Sequence, residues 1–114
     1  MQCMLLIYHD QDVWSKLSDP DRAAIYADYR ALAAEMGNAG VMRAGGELTP
    51  TPTAITMRVR DGKSASTEGP FAQTNEQLAG FFRIDCSTMD EALGWAAKIP
   101  TIEMGAIEVR KVTV

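Results

Sequence analysis

The single histidine of the sequence, His9, is the residue best suited to acid/base chemistry, and two carboxylates, Asp10 and Asp12, follow it closely. Because the unperturbed pKa of imidazole lies near neutrality, His9 could act as a general base or bind a metal ion. Without a second histidine or a close Cys/His spacing it cannot complete a metal shell, and we therefore predict no metal site. The alternative interpretation is a strand-end residue beside a polar loop.

Charged residues that alternate along predicted strands form a second group of candidates. Arg83 and Asp85 fall on the same face of one strand, and Asp85 is the second candidate for a catalytic acid or base. Guanidinium groups in a cavity could hold a carboxylate or phenolate, so we predict a ligand site formed by Arg58, Arg83 and Arg110. The alternative is that these arginines pair with Asp85 and Glu108, because a charge enclosed in a cavity needs a partner.

A third candidate is the loop TEGPFAQTNEQLAGFF, which begins at Thr67 and places Phe71 directly after the turn residues Glu68-Gly69-Pro70. With Trp14 and Tyr8, Phe71 could form the apolar wall of a site for a small aromatic ligand. Aromatic residues more often belong to a core or an interface, and we expect Phe71 to turn inward and pin the loop. Glu68 is a ligand-binding candidate, and two roles stay open for it: capping the turn or reaching into the cavity.

These residues depend on a small set of strands and helices. Helix starts are indicated by Ser18 with Asp21 and by Thr88 with Glu91, which are spaced as capping boxes. Asp61-Gly62 is a hairpin turn signal between two short strands. The predicted strands are 3–8, 41–48, 53–60, 63–67, 77–86 and 106–112. The order β-α-β, hairpin, β-α-β predicts a ferredoxin-like α+β sandwich: an antiparallel sheet with two helices on one face.

The sheet face that the helices leave open needs a cover. The first strand, CMLLIY, is apolar on both alternating sets of positions, which is typical of a strand buried on both faces. The simplest cover is the same sheet of a second subunit. We therefore predict a homodimer.

Composition limits the class of protein. With 114 residues and 46% apolar content, the chain is expected to form one domain, residues 1–114. A net charge of −4 without a basic stripe argues against direct nucleic-acid binding. The sequence has no bilayer-length apolar run and no signal-peptide pattern, which predicts a cytoplasmic protein without membrane contact. Cys3 and Cys86 are expected to be buried thiols, and no glycine-rich phosphate loop or other cofactor motif is present.

The segment EGPFAQTNEQLAGFFRID resembles the signature of the DGPF branch of the YCII-related family, with Glu68 in place of the usual Asp. The likeness extends over nearly the whole chain, through MLLIYHD, LSDPDRAA, RVRDG, DEALGWAAKIP and EVRKV. It implies a ferredoxin-like fold similar to the dimeric α/β-barrel superfamily, in which two sheets pack face to face around a cavity.

For activity, the resemblance implies less. The wider family is associated with an acid/base pair, a His early in the first helix and an Asp before a Pro after the second. Here the first helix starts Asp21-Arg22-Ala23-Ala24, and Ile99 precedes Pro100, so neither residue carries over. We predict a small-molecule enzyme or binder that uses a cavity between the sheet and the signature loop. The alternative is a non-catalytic regulatory or interaction protein linked to sigma-factor-dependent transcription control.

Overall fold

The computed structural model describes residues 1–113 and confirms a ferredoxin-like α+β fold. Four strands form the main sheet in the order β2-β5-β1-β6, and every neighbouring pair is antiparallel. A separate antiparallel pair, β3 and β4, forms the predicted hairpin. The elements are β1 Gln2–Asp10, α1 Gln11–Lys16, α2 Asp19–Asn38, β2 Met42–Glu47, β3 Ile55–Arg60, β4 Lys63–Glu68, β5 Glu76–Asp85, α3 Met89–Ala96 and β6 Gly105–Val112.

Strand β1 is the central strand, as predicted, and pairs with β5 on one side and β6 on the other. Its buried positions alternate strictly, so that Cys3, Leu5, Ile7 and His9 face the helices. Because the side-chain period of a strand is two, His9 occupies the last core-facing position of β1. The strand therefore carries its single imidazole to the edge of the hydrophobic core.

The two long helices begin where the capping boxes predict. The Ser18 hydroxyl accepts a hydrogen bond of 3.1 Å from the Asp21 backbone N–H, and Thr88 does the same for Glu91 at 3.1 Å. These bonds satisfy backbone donors that the first helical turn leaves free. Helix α2 places Leu32 and Met36 in the core, and α3 contributes Ala92 and Ala96.

Helix α1 was not predicted. The Asp10 carboxylate accepts a hydrogen bond of 2.8 Å from the Asp12 backbone N–H and so caps this six-residue helix. The strand-to-helix segment that looked like a polar loop is thus ordered. Asp10 is adjacent to His9 in sequence, but its carboxylate serves as the cap of α1 rather than as a catalytic group.

A β-bulge in β5 changes one predicted side-chain direction. The register between β1 and β5 shifts between Ile7 and Tyr8, so that Ile7 pairs with Gly80 but Tyr8 pairs with Leu78. One extra residue, Ala79, is accommodated at this point. Strict alternation from Phe82 along β5 predicts that Leu78 faces the helices; this is wrong, because the bulge places Leu78 on the open face of the sheet with Tyr8.

The glycine pair Gly45-Gly46 in β2 is typical of a bulge or a close backbone approach, and the structure shows both features. A Cβ at Gly45 would lie 2.7 Å from the Phe82 ring, and the pairing of β2 with β5 shifts register just before it, between Met42 and Ala44. Both cysteines are free and buried, as predicted. Burial raises the pKa of the Cys86 thiol, with Cys3 nearby adding to the effect, which leaves it a poor nucleophile.

The β3–β4 hairpin turns at Asp61 and Gly62, whose φ angles of 51° and 76° match the predicted tight turn. One face of this hairpin carries Ile55, Met57 and Val59, which are 72%, 64% and 63% exposed. The hairpin thus presents a row of apolar side chains outside the main core. Among residues 1–113, no helix is long and apolar enough to cross a membrane.

Candidate functional site

A cavity of about 260 Å³ lies between the sheet and the helices α1 and α2, and we call it the helix-side cavity. Its walls combine aromatic rings with a few polar groups, and they come from six parts of the chain: β1, α1, α2, β2, β5 and the turn after α3. The strand β1 contributes His9, α1 contributes Trp14, β2 contributes Glu47, and the turn after α3 contributes Thr101. The remaining lining residues are Ile7, Tyr26, Tyr29, Arg30, Ala33, Gly46, Ala79, Gly80, Phe81 and Phe82.

His9 is the chemically distinctive residue of this cavity. It is only 8% exposed, and its Nδ1 is the single buried side-chain nitrogen or oxygen within residues 1–113 that lacks a hydrogen-bond partner. Burial lowers the pKa of His9 below its ordinary value of 6.5, and the opposing effects of the nearby Asp10 backbone and of the Glu47 and Asp10 carboxylates do not compensate. The imidazole is therefore neutral at physiological pH. In this form it can accept or donate one hydrogen bond at a position that the protein does not fill.

Trp14 covers the imidazole. The two rings are 5.5 Å apart between centroids at an interplanar angle of 29°, and Tyr26 meets Trp14 edge-on at 5.6 Å. Helix α1 buries no residue of its own, so it needs an external anchor. Arg22 supplies one: its Nη1 donates to the Leu17 carbonyl at 2.6 Å and lies within 3.4 Å of the Trp14 carbonyl.

Helix α2 forms one side of the cavity with residues spaced by three and four. Tyr26, Tyr29, Arg30 and Ala33 share this face because residues at those spacings are neighbours on a helix surface. The Tyr26 hydroxyl donates to Glu47 Oε1 at 2.7 Å, which ties α2 to β2. Burial, followed by this bond, raises the pKa of Tyr26.

A second hydrogen bond closes the inner end of the cavity. The hydroxyl oxygens of Tyr29 and Thr101 lie 2.6 Å apart, and Thr101 is 1% exposed. Burial raises the pKa of Tyr29 and outweighs the opposite effect of the Thr101 hydrogen bond, so the phenol stays protonated. This bond joins α2 to the segment that follows α3. It fixes the position of a ring that also packs against Phe82 at 6.3 Å.

The structure does not bring the two predicted catalytic residues together. His9 pairs with Gln77 at one end of β1, whereas Asp85 pairs with Gln2 at the other end and on the open face of the sheet. Seven residues of extended strand separate them, which corresponds to roughly 23 Å. Asp85 also accepts a bond of 3.2 Å from the Met1 ammonium and lies 3.5 Å from Arg43. Within one chain, His9 and Asp85 therefore lie too far apart to act on the same atom.

Arg83 and Arg110 share the open face, as predicted, with Met4 paired between them. Both arginines are exposed, and Arg110 forms an ion pair with Glu108, with its Nε 2.9 Å from the Glu108 carboxylate. The sequence left two roles open for Arg110, binding a ligand or pairing with a carboxylate, and the structure shows the pairing. Arg58 is not on this face, because the hairpin that carries it is not hydrogen-bonded into the main sheet.

The signature loop borders a second hollow of about 430 Å³ on the open face, which we call the loop-side cavity. Phe71 lines it together with Tyr8, Leu48, Thr49, Thr51, Ala54, Pro70, Ala72, Thr74, Glu76, Gln77 and Leu78. The expectation that Phe71 turns inward is wrong, since its side chain is 71% exposed and lies 5.0 Å from the Arg58 guanidinium. A cation–π contact with Arg58 holds the ring at the surface instead. Glu68 is exposed at the end of β4, opposite Ile55.

Sequence reasoning missed the residues that surround His9. Tyr26, Arg30 and Glu47 were not candidates, and Trp14 was assigned to a wall with Phe71, which lines the other cavity. One signal was available in α2. Tyr26 and Arg30 are spaced by four residues beside the apolar stripe that contains Tyr29, and long side chains with polar ends at such a border are suited to a pocket rim.

Within residues 1–113, no three or more His, Cys, Asp and Glu side chains are grouped as a metal site. The comparisons with known proteins agree with one another. Residues 1–114 match the YCII-related domain. A protein of Rhizobium meliloti (strain 1021), itself described only as uncharacterized, is 36% identical over 108 residues, covering 93% of this chain and 87% of the relative. The match over the full length and the identity of this relative show that the chain belongs to the YCII-related family.

Proposed function

We propose that this protein binds a small organic molecule in the helix-side cavity and that His9 is the group that hydrogen-bonds to it. The observation that carries the proposal is the buried Nδ1 of His9 without a partner. An unsatisfied buried polar atom costs about 1–3 kcal/mol. A site that retains such an atom beside an open cavity is suited to a ligand that supplies the missing bond.

The chemistry available at the site is proton transfer. Neutral His9 can take a proton from a bound hydroxyl or an acidic carbon, and Glu47 is the one carboxylate among the residues that line the helix-side cavity. Glu47 accepts the Tyr26 hydroxyl at 2.7 Å, so this carboxylate is held in place on the far side from β1. We propose that His9 takes the proton as general base and, as the imidazolium, returns the same proton later in the reaction, while the Glu47 carboxylate stabilises the imidazolium in between. The pair replaces the family's acid/base positions, which this sequence does not have.

Fluorescence of Trp14 offers a direct test, because the chain has only two tryptophans. In a Trp95→Phe variant, Trp14 is the single indole, and it stacks on His9. Members of a fragment library that enter the helix-side cavity should change its emission, and His9→Leu should abolish the response. Arg83→Ala on the open face is the matched control and should leave it intact. A response that survives His9→Leu but disappears in Arg83→Ala would move the ligand to the open face and refute the proposal.

A second candidate function, the interaction protein, is supported by a different observation. Ile55, Met57 and Val59 form an exposed apolar row on a hairpin that is not part of the main sheet. Two-stranded hairpins are marginally stable alone in water, so this row is suited to contact with another chain. We propose that the other chain is a second copy; this hairpin contact is an addition to the sheet-to-sheet homodimer that the sequence predicts. Light scattering at micromolar concentration should give twice the mass of the chain, and a stable monomer would contradict this.

The DGPF branch, a regulatory role and a cytoplasmic location remain proposals of the same kind. The first two are supported by the resemblance of the signature segment that starts at Glu68. The regulatory role predicts that Met57→Lys, in the middle of the exposed row, removes an interaction in cells without changing the His9 site. If instead the variant behaves as the unchanged protein in both respects, the hairpin has no interaction role.

A further inference from the structure

We propose that the ligand of the helix-side cavity is a single aromatic ring that carries one anionic group, and that Arg30 selects this class. The inference rests on the proposed function, because it takes the cavity around His9 as the binding site. It adds the size, shape and charge of the molecule. Each of these three properties follows from a different feature of the cavity.

The size of the cavity limits the ligand. Its volume of about 260 Å³ equals the liquid volume of roughly nine water molecules. Pockets for larger, drug-sized molecules typically occupy about 300–1,000 Å³. A molecule of one ring with one or two substituents therefore fills the space, whereas a nucleotide or a peptide would extend far outside it.

The shape of the walls favours a flat ring. Trp14, Tyr26 and Tyr29 line the cavity from the helices, and Phe82 lines it from β5. The His9 and Trp14 rings are inclined by 29° at 5.5 Å, and the Tyr29 and Phe82 rings by 31° at 6.3 Å. Aromatic pairs prefer offset-stacked or edge-to-face contacts, which a planar ligand can make with several of these rings at once. A saturated ring of equal size offers no such contacts.

Charge at the cavity favours an anion. Arg30 is the only Lys or Arg among the lining residues, it is exposed at the rim, and within residues 1–113 it makes no salt bridge or side-chain hydrogen bond. Glu47, the opposing charge, already accepts the Tyr26 hydroxyl. A guanidinium without a partner is suited to bind a carboxylate bidentately. His9 supplies the second polar contact, because its Nδ1 can hydrogen-bond to an oxygen of the same anionic group or to a ring hydroxyl.

Four probe molecules of similar size test the class by calorimetry: benzoate, benzamide, benzylamine and cyclohexanecarboxylate. Benzoate should bind most tightly, with neutral benzamide and cationic benzylamine weaker by about tenfold or more, as expected for a lost charged hydrogen bond. Cyclohexanecarboxylate keeps the charge and loses the flat ring, so it should also bind less well. Benzamide or benzylamine binding as tightly as benzoate would overturn the anion, and cyclohexanecarboxylate doing so would overturn the aromatic ring.

Two arginine variants locate the contact. Arg30→Gln should reduce benzoate affinity to that of benzamide and leave benzamide unchanged, whereas Arg60→Gln on the hairpin should alter neither. Both arginines are exposed, so neither change threatens the fold. If benzylamine is the best ligand and still quenches Trp14, the cavity remains the site and only the anion inference fails. If all four probes fail at millimolar concentration, the inference fails, and a response of Trp14 to other fragments would still support the proposed function.

Discussion

Replacing His9 by leucine tests the physical basis of the site. The change removes the Nδ1 that has no hydrogen-bond partner, and such an atom costs about 1–3 kcal/mol. It also removes the stacking of the imidazole on Trp14, which is worth about 0.5–1.5 kcal/mol. Leucine is of similar volume and has no polar atom to bury. At pH 8 the change in stability should therefore lie between a loss of about 0.5 kcal/mol and a gain of about 2.5 kcal/mol.

The advantage of the leucine variant should grow as the pH falls. Because burial lowers the pKa of His9 in the folded protein below 6.5, the unfolded chain binds more protons in the window beneath that value. The unchanged protein loses stability there at up to about 1.4 kcal/mol per pH unit, and a leucine does not titrate. The difference in the free energy of unfolding should thus be constant above about pH 7.5 and increase below 6.5. It should level off once the pH passes the pKa of folded His9.

Urea unfolding at half-unit pH intervals measures this difference directly, since all other titrating groups are the same in both proteins. Ile7→Leu is the matched control, because Ile7 lies on the same strand and the same buried face. Its effect on stability should not depend on pH. A difference between His9→Leu and the unchanged protein that stays constant with pH, or that narrows below 6.5, would refute the burial argument.

Three further predictions concern the residues that support the site. Tyr29→Phe leaves the buried Thr101 hydroxyl without its 2.6 Å partner and should lower the free energy of unfolding by about 1–3 kcal/mol. Adding Thr101→Val should recover part of that loss in a double-mutant cycle. Additive effects of the two changes would show that the bond contributes nothing. Gly105→Ala places a Cβ 2.0 Å from a β1 carbonyl oxygen and should lower the free energy of unfolding by about 3 kcal/mol or more. Gly94→Ala is the control, because a Cβ there meets no atom within 4 Å, and it should be neutral or stabilising. Equal melting temperatures of the two variants would contradict this. Arg22→Lys removes the guanidinium that hydrogen-bonds to the carbonyls of α1 and the residue after it. In a background where the other tryptophan is phenylalanine, the emission of the α1 tryptophan should therefore move to longer wavelength. An unchanged spectrum would show that α1 is anchored by other contacts.

The fold was accessible from the sequence because its signals are local. Ser18 with Asp21 and Thr88 with Glu91 mark helix starts within four residues, and Asp61-Gly62 specifies its turn by backbone conformation alone. Alternation along β1 depends only on the strand period. Each of these features can be recognised without knowing which parts of the chain meet.

The site was only partly accessible, because its members meet through tertiary packing. His9 was identified by its type, but the second catalytic candidate was Asp85, which the register places at the other end of the sheet. Glu47 approaches His9 only because β2 and β1 both pair with β5. The bulge at Ala79 is likewise a property of pairing and leaves no mark in hydrophobic alternation.

The most direct test of the central claim is the ¹⁵N NMR spectrum of the imidazole, which is free of overlap because the chain has a single histidine. In the free protein at pH 7, His9 should give the signals of a neutral ring. Saturation with benzoate should shift the Nδ1 resonance strongly, because the ligand supplies the hydrogen bond that the protein lacks. Benzoate that binds at saturation while both ring nitrogens keep their free-state shifts would contradict the assignment of His9 as the ligand-contacting group.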